Sequence, residues 1–213
     1  MGTSLSCSFI AEQYRTIRTN ILFSSVNESY RMLLVTSTEQ AEGKSTTVAN
    51  LAVVLSDQRK KVLLVDADTR KPTLHHVFSL PNRIGLTNVL VKQISCQEAF
   101  SKTKIDNLFV LTSGPIPPNP AELLGSSVMK EFSEKVLSEF DYVLVDTPPI
   151  LLVTDAQVLA NQCDRTIFVV NSGKANVDKT RKAKELLQSA KAKLLGVVLN
   201  NREIKDFNSY YIS

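Results

Sequence analysis

The sequence predicts an α/β domain, doubly wound, with a mainly parallel sheet flanked by helices. Three observations carry this reading. Short runs rich in Val, Ile and Leu recur along the 213 residues. These runs are apolar almost throughout, the pattern of strands covered on both faces. Helical patterns separate them, and strand–helix alternation is the mark of a parallel sheet with crossover helices. The length suffices for one domain with a sizeable core. No linker divides it, so residues 1–213 read as a single domain.

The first helix is expected at about 9–26, where Ile10, Tyr14, Ile17 and Ile21 form an apolar stripe at helical spacing. Strands follow at "RMLLVTS" (31–37), "KVLLVDA" (61–67), "LFVLTSG" (108–114), "YVLVDTP" (142–148), "RTIFVVNS" (165–172) and "KLLGVVLN" (193–200). Helices are expected at about 44–57, 126–139, 154–161 and 176–191. In "GPIPPNPAELL", Asn119 is placed to cap a short helix whose first residue is Pro120, so this stretch reads as a stiff loop beside a site or an interface. The chain closes on a short polar tail, about 203–213, that carries Tyr210 and Tyr211.

Composition excludes several classes. Hydrophobic residues make up 43% and charged residues 22%, as in a globular protein. No apolar run approaches the ~20 residues that a membrane helix needs. The net charge of +4 is mild and no basic block is concentrated enough to argue for nucleic acid. Cys7, Cys96 and Cys163 are too far apart for a metal spacing or a disulfide framework, which points to a reducing compartment. His75 and His76 are the chain's two histidines and, being adjacent, point in different directions on a helix, so they do not read as a metal pair.

Ligands of such sheets bind beyond the carboxyl ends of the strands. Three polar clusters fall there. The first is "TSTEQAEGKSTT" (36–47), which ends in Gly43-Lys44-Ser45-Thr46 and stands between an apolar strand and a good helix. That is the setting of a phosphate loop, although Thr38 stands where the general pattern has its first glycine. Glu42, Gly43, Lys44, Ser45 and Thr46 are the expected nucleotide contacts. Backbone N–H groups at the helix start suit phosphate, Lys44 supplies a point charge, and the Ser45 hydroxyl suits Mg²⁺. The second cluster, "LLVDADTRKP" (63–72), ends a strand in Asp66 and Asp68. The third, "YVLVDTPP" (142–149), does so in Asp146. An apolar strand that delivers a carboxylate to Mg²⁺ suits Asp66 and Asp146. Arg70 and Lys71 are open between contact with phosphate or a neighbouring subunit and a solvated basic turn.

With these motifs assembled, the chain resembles the bacterial tyrosine kinases of capsule and exopolysaccharide systems, which are built on a P-loop NTPase fold. The marks are "EQYRTIRTNI" (12–21), "EGKSTT", "LLVDADTRKP", "TSGPIPPNPAELL" (112–124), "VDTPPILLVTDAQ" (145–157) and "LLGVVLN" (194–200), spread over nearly the whole chain. The resemblance implies ATP and Mg²⁺ as cofactors, with Lys44, Asp66, Asp68 and Asp146 as the catalytic set. It makes Asp68 the first candidate for a general base, with Asp66 able to share that role. It implies autophosphorylation of the terminal tyrosines, Tyr210 and Tyr211 here. It gives the Glu12-x-x-Arg15-x-x-Arg18 face to a homo-oligomeric ring, in which a tail enters a neighbour's site. By relation to similar P-loop folds, Asn200 and Arg202 flank the nucleotide base. The implied partners are a membrane-anchored activator of the polysaccharide co-polymerase type, a cognate tyrosine phosphatase and protein tyrosine substrates. The implied location is the cytoplasmic face of the membrane.

Two other readings stand beside this one. A partitioning or division-site ATPase shares the fold, but has a lysine early in the loop where this chain has Glu39. An ATP-binding regulatory module with little turnover is suggested by the irregular loop. These kinases carry Pro-Gly where Gln40-Ala41 stands here, and Ala41 is expected to take an ordinary negative φ.

Overall fold

The computed structural model describes residues 2–25, 28 and 30–202, with no side-chain description for residues 2–8. The elements in chain order are α1 (Gly2–Ser24), β1 (Met32–Ser37), α2 (Lys44–Ser56), β2 (Val62–Asp66), α3 (Leu74–Val77), α4 (Leu86–Leu90), α5 (Cys96–Ala99), β3 (Ser101–Lys102), β4 (Leu108–Leu111), α6 (Pro120–Leu124), α7 (Ser127–Glu139), β5 (Tyr142–Asp146), α8 (Asp155–Gln162), β6 (Arg165–Asn171), α9 (Val177–Ser189) and β7 (Leu194–Asn200).

The seven strands lie in the order β3-β4-β2-β5-β1-β6-β7. The pairings are parallel except for the antiparallel β3–β4 pair. The central strands β1, β2 and β5 are buried along almost their whole length, which is why their sequences lack alternation. Register matters for the site: Asp66 at the end of β2 stands opposite Asp146 at the end of β5.

One core layer packs α1, α2 and α3 on the sheet through Tyr14, Ile21, Leu51, Leu55 and Leu74. The other packs α4 to α9 through Leu86, Leu124, Phe132, Val136, Leu159 and Leu187. Full burial of one such side chain stabilises by about 1.5–3 kcal/mol. The apolar stripe of α1 is therefore core at Tyr14 and Ile21, but Ile10 lies beyond it and is 52% exposed.

Three short helices and one short strand were not foreseen. α3, α4 and α5 have four or five residues each, too few to show a helical period. Of these, α5 carries a readable start, since Ser95 and Glu98 form a reciprocal capping box. The expected cap at α6 differs in detail. Pro120 does open the helix, but the Asn119 amide donates to Glu122 Oε2 at 3.1 Å instead of capping the backbone.

Candidate functional site

The phosphate loop runs from the end of β1 to the start of α2. Gly43 is the N-cap of α2 with φ 89°, a left-handed conformation, and no side chain caps the first turn. The orphan N–H groups of that turn are thus directed outward, where the helix dipole also favours an anion. A Cβ on Gly43 would lie 1.9 Å from Asn200 Nδ2, so glycine is required by both conformation and space. Ala41 also has a positive φ, 60°. The expected negative φ is therefore corrected. The loop needs a left-handed turn at this position, and alanine adopts it at a cost of about 1–2 kcal/mol.

Side chains brace this loop from within. The Glu42 carboxylate accepts from the Glu39 N–H at 2.9 Å, so its role is to fold the loop. Ser37 Oγ donates to the Glu39 carbonyl at 2.8 Å. Lys179 from α9 pairs with Glu39 Oε1 at 2.6 Å. Asn200 donates to the Glu42 carbonyl at 2.9 Å, which places this residue against the back of the loop. Arg202 is exposed beyond it.

Lys44 reaches across the strand ends. Its ammonium lies 3.4 Å from Asp68 Oδ2, 3.5 Å from Asp146 Oδ1 and 3.2 Å from Ser45 Oγ. One cation thus stands between two carboxylates. Asp66 lies deeper. Its Oδ2 accepts from the N–H groups of Thr73 and Leu74 at 3.0 and 2.9 Å, while Oδ1 has no hydrogen-bond partner. Burial, followed by the charge of Asp146, pushes the Asp66 carboxyl up to about 7. Burial also raises the Asp146 carboxyl, against the pull of Lys44 and Ser45.

Asp68 Oδ1 accepts from the Lys71 N–H at 3.0 Å, which orients the carboxylate toward the cleft. That cleft, about 430 Å³, is lined by the phosphate loop, Asp68, Arg70, Lys71, Thr73 and the Pro148–Val153 segment. Asp66 does not line it. Arg70 does not hang free as a solvated turn: its Nε and Nη2 donate to both oxygens of Asp155 at 2.9 and 3.0 Å. Sequence reasoning missed Asp155. Its signal was faint, a carboxylate at the first residue of a helix, where capping would have explained it.

The structure brings Glu42 to Thr46, Asp66, Asp68, Asp146 and Asn200 to one edge of the sheet. The Glu12–Arg15–Arg18 face lies elsewhere, on α1. There Arg15 pairs with Glu12 at 2.9 Å, and Arg18 Nη1 donates to the Val54 carbonyl of α2 at 2.7 Å. Tyr210 and Tyr211 lie outside the described residues. Among the described residues, no group of three or more His, Cys, Asp or Glu is placed to hold a metal by itself.

A left-handed glycine before an uncapped helix, a lysine behind it and two strand-end carboxylates define a P-loop nucleotide-binding protein. Residues 31–195 match the family described as AAA domain. The chain is 51% identical to tyrosine-protein kinase YwqD of Bacillus subtilis, across 95% of this chain and 86% of that protein. It superposes on the crystal structure of the chimerical protein CapA2B2 with a TM-score of 0.88 and 43% identity, covering 91% of this chain and 85% of that one. The kinase domain of Escherichia coli tyrosine kinase ETK gives a TM-score of 0.86 at 28% identity, covering 92% and 78%. The chain belongs to the bacterial tyrosine-protein kinases that are built on this P-loop domain.

Proposed function

We propose that the chain transfers the γ-phosphoryl group of ATP to tyrosine, with Tyr210 and Tyr211 as acceptors between copies of a ring. The observation that carries this reading is Lys44, held between Asp68 and Asp146 at 3.4 and 3.5 Å behind an uncapped helix start. Lys44 and the first-turn amides bind the phosphates and stabilise charge on the transferring group. A tyrosine hydroxyl ionises near pH ~10, so its attack needs a proton acceptor. Asp68 fills that role: it faces the cleft, whereas Asp66 is locked by two backbone N–H groups below it. The phenol gives its proton to Asp68 as its oxygen attacks the γ-phosphorus, and ADP leaves.

The donor set fits Mg²⁺ with its waters. The Asp146 oxygens and Asp66 Oδ1 are buried with no hydrogen-bond partner, and the Ser45 hydroxyl stands beside Lys44. Ser45, Asp146 and Asp66 would hold the ion or its waters, and Mg²⁺ would neutralise phosphate charge.

In the cell, this activity would regulate capsular or exopolysaccharide synthesis and export. The expected partners are a membrane-anchored activator of the co-polymerase type, a tyrosine phosphatase and other tyrosine substrates. The expected place is the inner face of the membrane. The Glu12–Arg15–Arg18 helix would serve the ring, with residues 1–213 as one kinase domain. The partitioning-ATPase reading is weaker, because Glu39 is turned to Lys179 where those proteins have a loop lysine.

The test is incubation with Mg-ATP and an activator fragment, followed by phosphotyrosine detection. The unaltered chain gains phosphotyrosine, whereas Lys44→Met and the Tyr210→Phe/Tyr211→Phe double variant do not. Equal signal in the Lys44→Met chain would overturn the assignment.

A further inference from the structure

The cleft has two walls that come from different parts of the chain. One is the loop after β2, residues 67–73, which carries Asp68. The other is the segment after β5, residues 147–154, which leads into α8. The root of the first wall is fixed, since Ala67 N–H donates to the Asp146 carbonyl at 2.8 Å and Asp66 accepts from Thr73 and Leu74. Its tip, at Arg70, reaches the second wall through the two-pronged contact with Asp155.

The chemistry of this contact is unusual for a cleft rim. Asp155 is completely buried at the start of α8, while the Arg70 side chain remains 41% exposed. A buried carboxylate needs its partner, and a planar guanidinium meets it with two parallel hydrogen bonds that fix direction as well as distance. The hydrogen bonds that Arg70 donates to Asp155 raise the guanidinium's affinity for its proton, against the opposing effect of burial, so the pair stays charged.

We infer that Arg70 and Asp155 form a positioning clamp that holds the Asp68 loop at a fixed distance from the segment between β5 and α8. Arg70 acts through Asp68 and is not a phosphate ligand. The inference rests on the reading of Asp68 as the base. Without the clamp, the tip of the loop is released while the phosphate loop is untouched. The clamp therefore sets turnover and leaves nucleotide affinity alone.

The test uses the full chain with Arg70→Gln, Asp155→Asn, the double variant and Arg70→Lys. Hydrogen exchange on the nucleotide-free protein reads the clamp directly. In Arg70→Gln, the amide of Lys71, bonded to Asp68 at the tip, exchanges about tenfold faster or more, while those of Thr73 and Leu74, held by Asp66, and those of α2 and β4 keep their rates. Activator-stimulated phosphotyrosine turnover falls about 10²-fold in kcat, as expected of a small misplacement. The KM for ATP stays within about threefold. The double variant falls no further than the worse single one, and Arg70→Lys is intermediate.

Unchanged exchange at Lys71 would overturn the inference. So would faster exchange throughout the sheet, which would mark a purely structural pair. A KM for ATP that rises in Arg70→Gln but not in Asp155→Asn would identify a phosphate ligand instead. Asp68→Asn is run alongside: full turnover there removes the base assignment, while the exchange data still decide the clamp.

Discussion

The two loops that face each other across the cleft are held by different means. The phosphate loop is fixed chiefly by backbone conformation, with Ala41 at φ 60° and Gly43 at φ 89°, by bonds among its own neighbours and by an amide from Asn200 behind it. The Asp68 loop is fixed by charged side chains, Asp66 at its root to the adjoining start of α3 and Arg70 at its tip to the distant α8. A binding surface made of N–H groups needs only the right turn. A carboxylate that must meet an acceptor from elsewhere has to be aimed, and aiming draws on groups far apart in sequence.

This contrast predicts where substitutions act. Asp68→Asn has the largest effect on turnover, and Asp66→Asn follows it. The Asp66 change removes about 10²–10³-fold of turnover, read as phosphotyrosine formed per minute. It also changes stability with pH. The folded Asp66 carboxyl binds its proton up to about 7, against 3.8 when unfolded. Between those values the folded state holds more protons, so stability from this group falls as pH rises. The nucleotide-free chain should thus lose melting temperature from pH 5 to pH 7.5, and Asp66→Asn should flatten that slope. An unaltered slope would place the raised group elsewhere.

Gly43→Ala comes next. Strain at φ 89° and collision with Asn200 together destabilise by about 1–3 kcal/mol and weaken nucleotide binding, measured by urea unfolding and by a fluorescent ADP. Ala41→Gly goes the other way. Relief of left-handed strain, offset by the extra freedom of glycine in the unfolded chain, leaves a gain below about 1 kcal/mol. Lys179→Ala is the smallest. The pair with Glu39 is half exposed, and its loss costs about 0.2–1 kcal/mol. A larger loss would mean that the phosphate loop also depends on a distant charge, and the contrast between the loops would fail.

The same division explains what could be read from the sequence. Five of the six main strands were legible because burial leaves an apolar run, β7 because it is apolar although largely exposed, and the five long helices because each repeats its period. The positions of Asp66 and Asp146 at the sheet edge were legible because each ends such a run, that of Asp68 because it lies two residues on, and that of Lys44 because Gly-Lys-Ser opens the helix after the loop. The missed parts depend on distance in sequence or on conformation. β3 has two residues, and α3 to α5 have too few for a period. Asp155 is meaningful only because Arg70, 85 positions earlier, folds onto it. Ala41 was misjudged because alanine ordinarily avoids the left-handed turn, and the demand for it comes from the closed loop around phosphate.

The central claim is that the phosphate loop binds while the Asp68 loop performs chemistry. Asp68→Asn tests it most directly, with kcat for phosphotyrosine formation and the affinity for a fluorescent ADP measured on the same preparation. The account predicts a fall in kcat of about 10²–10⁴-fold, the range for a general base, with ADP affinity within about threefold of the unaltered chain. Retained turnover, or an equal loss of affinity and rate, would contradict it.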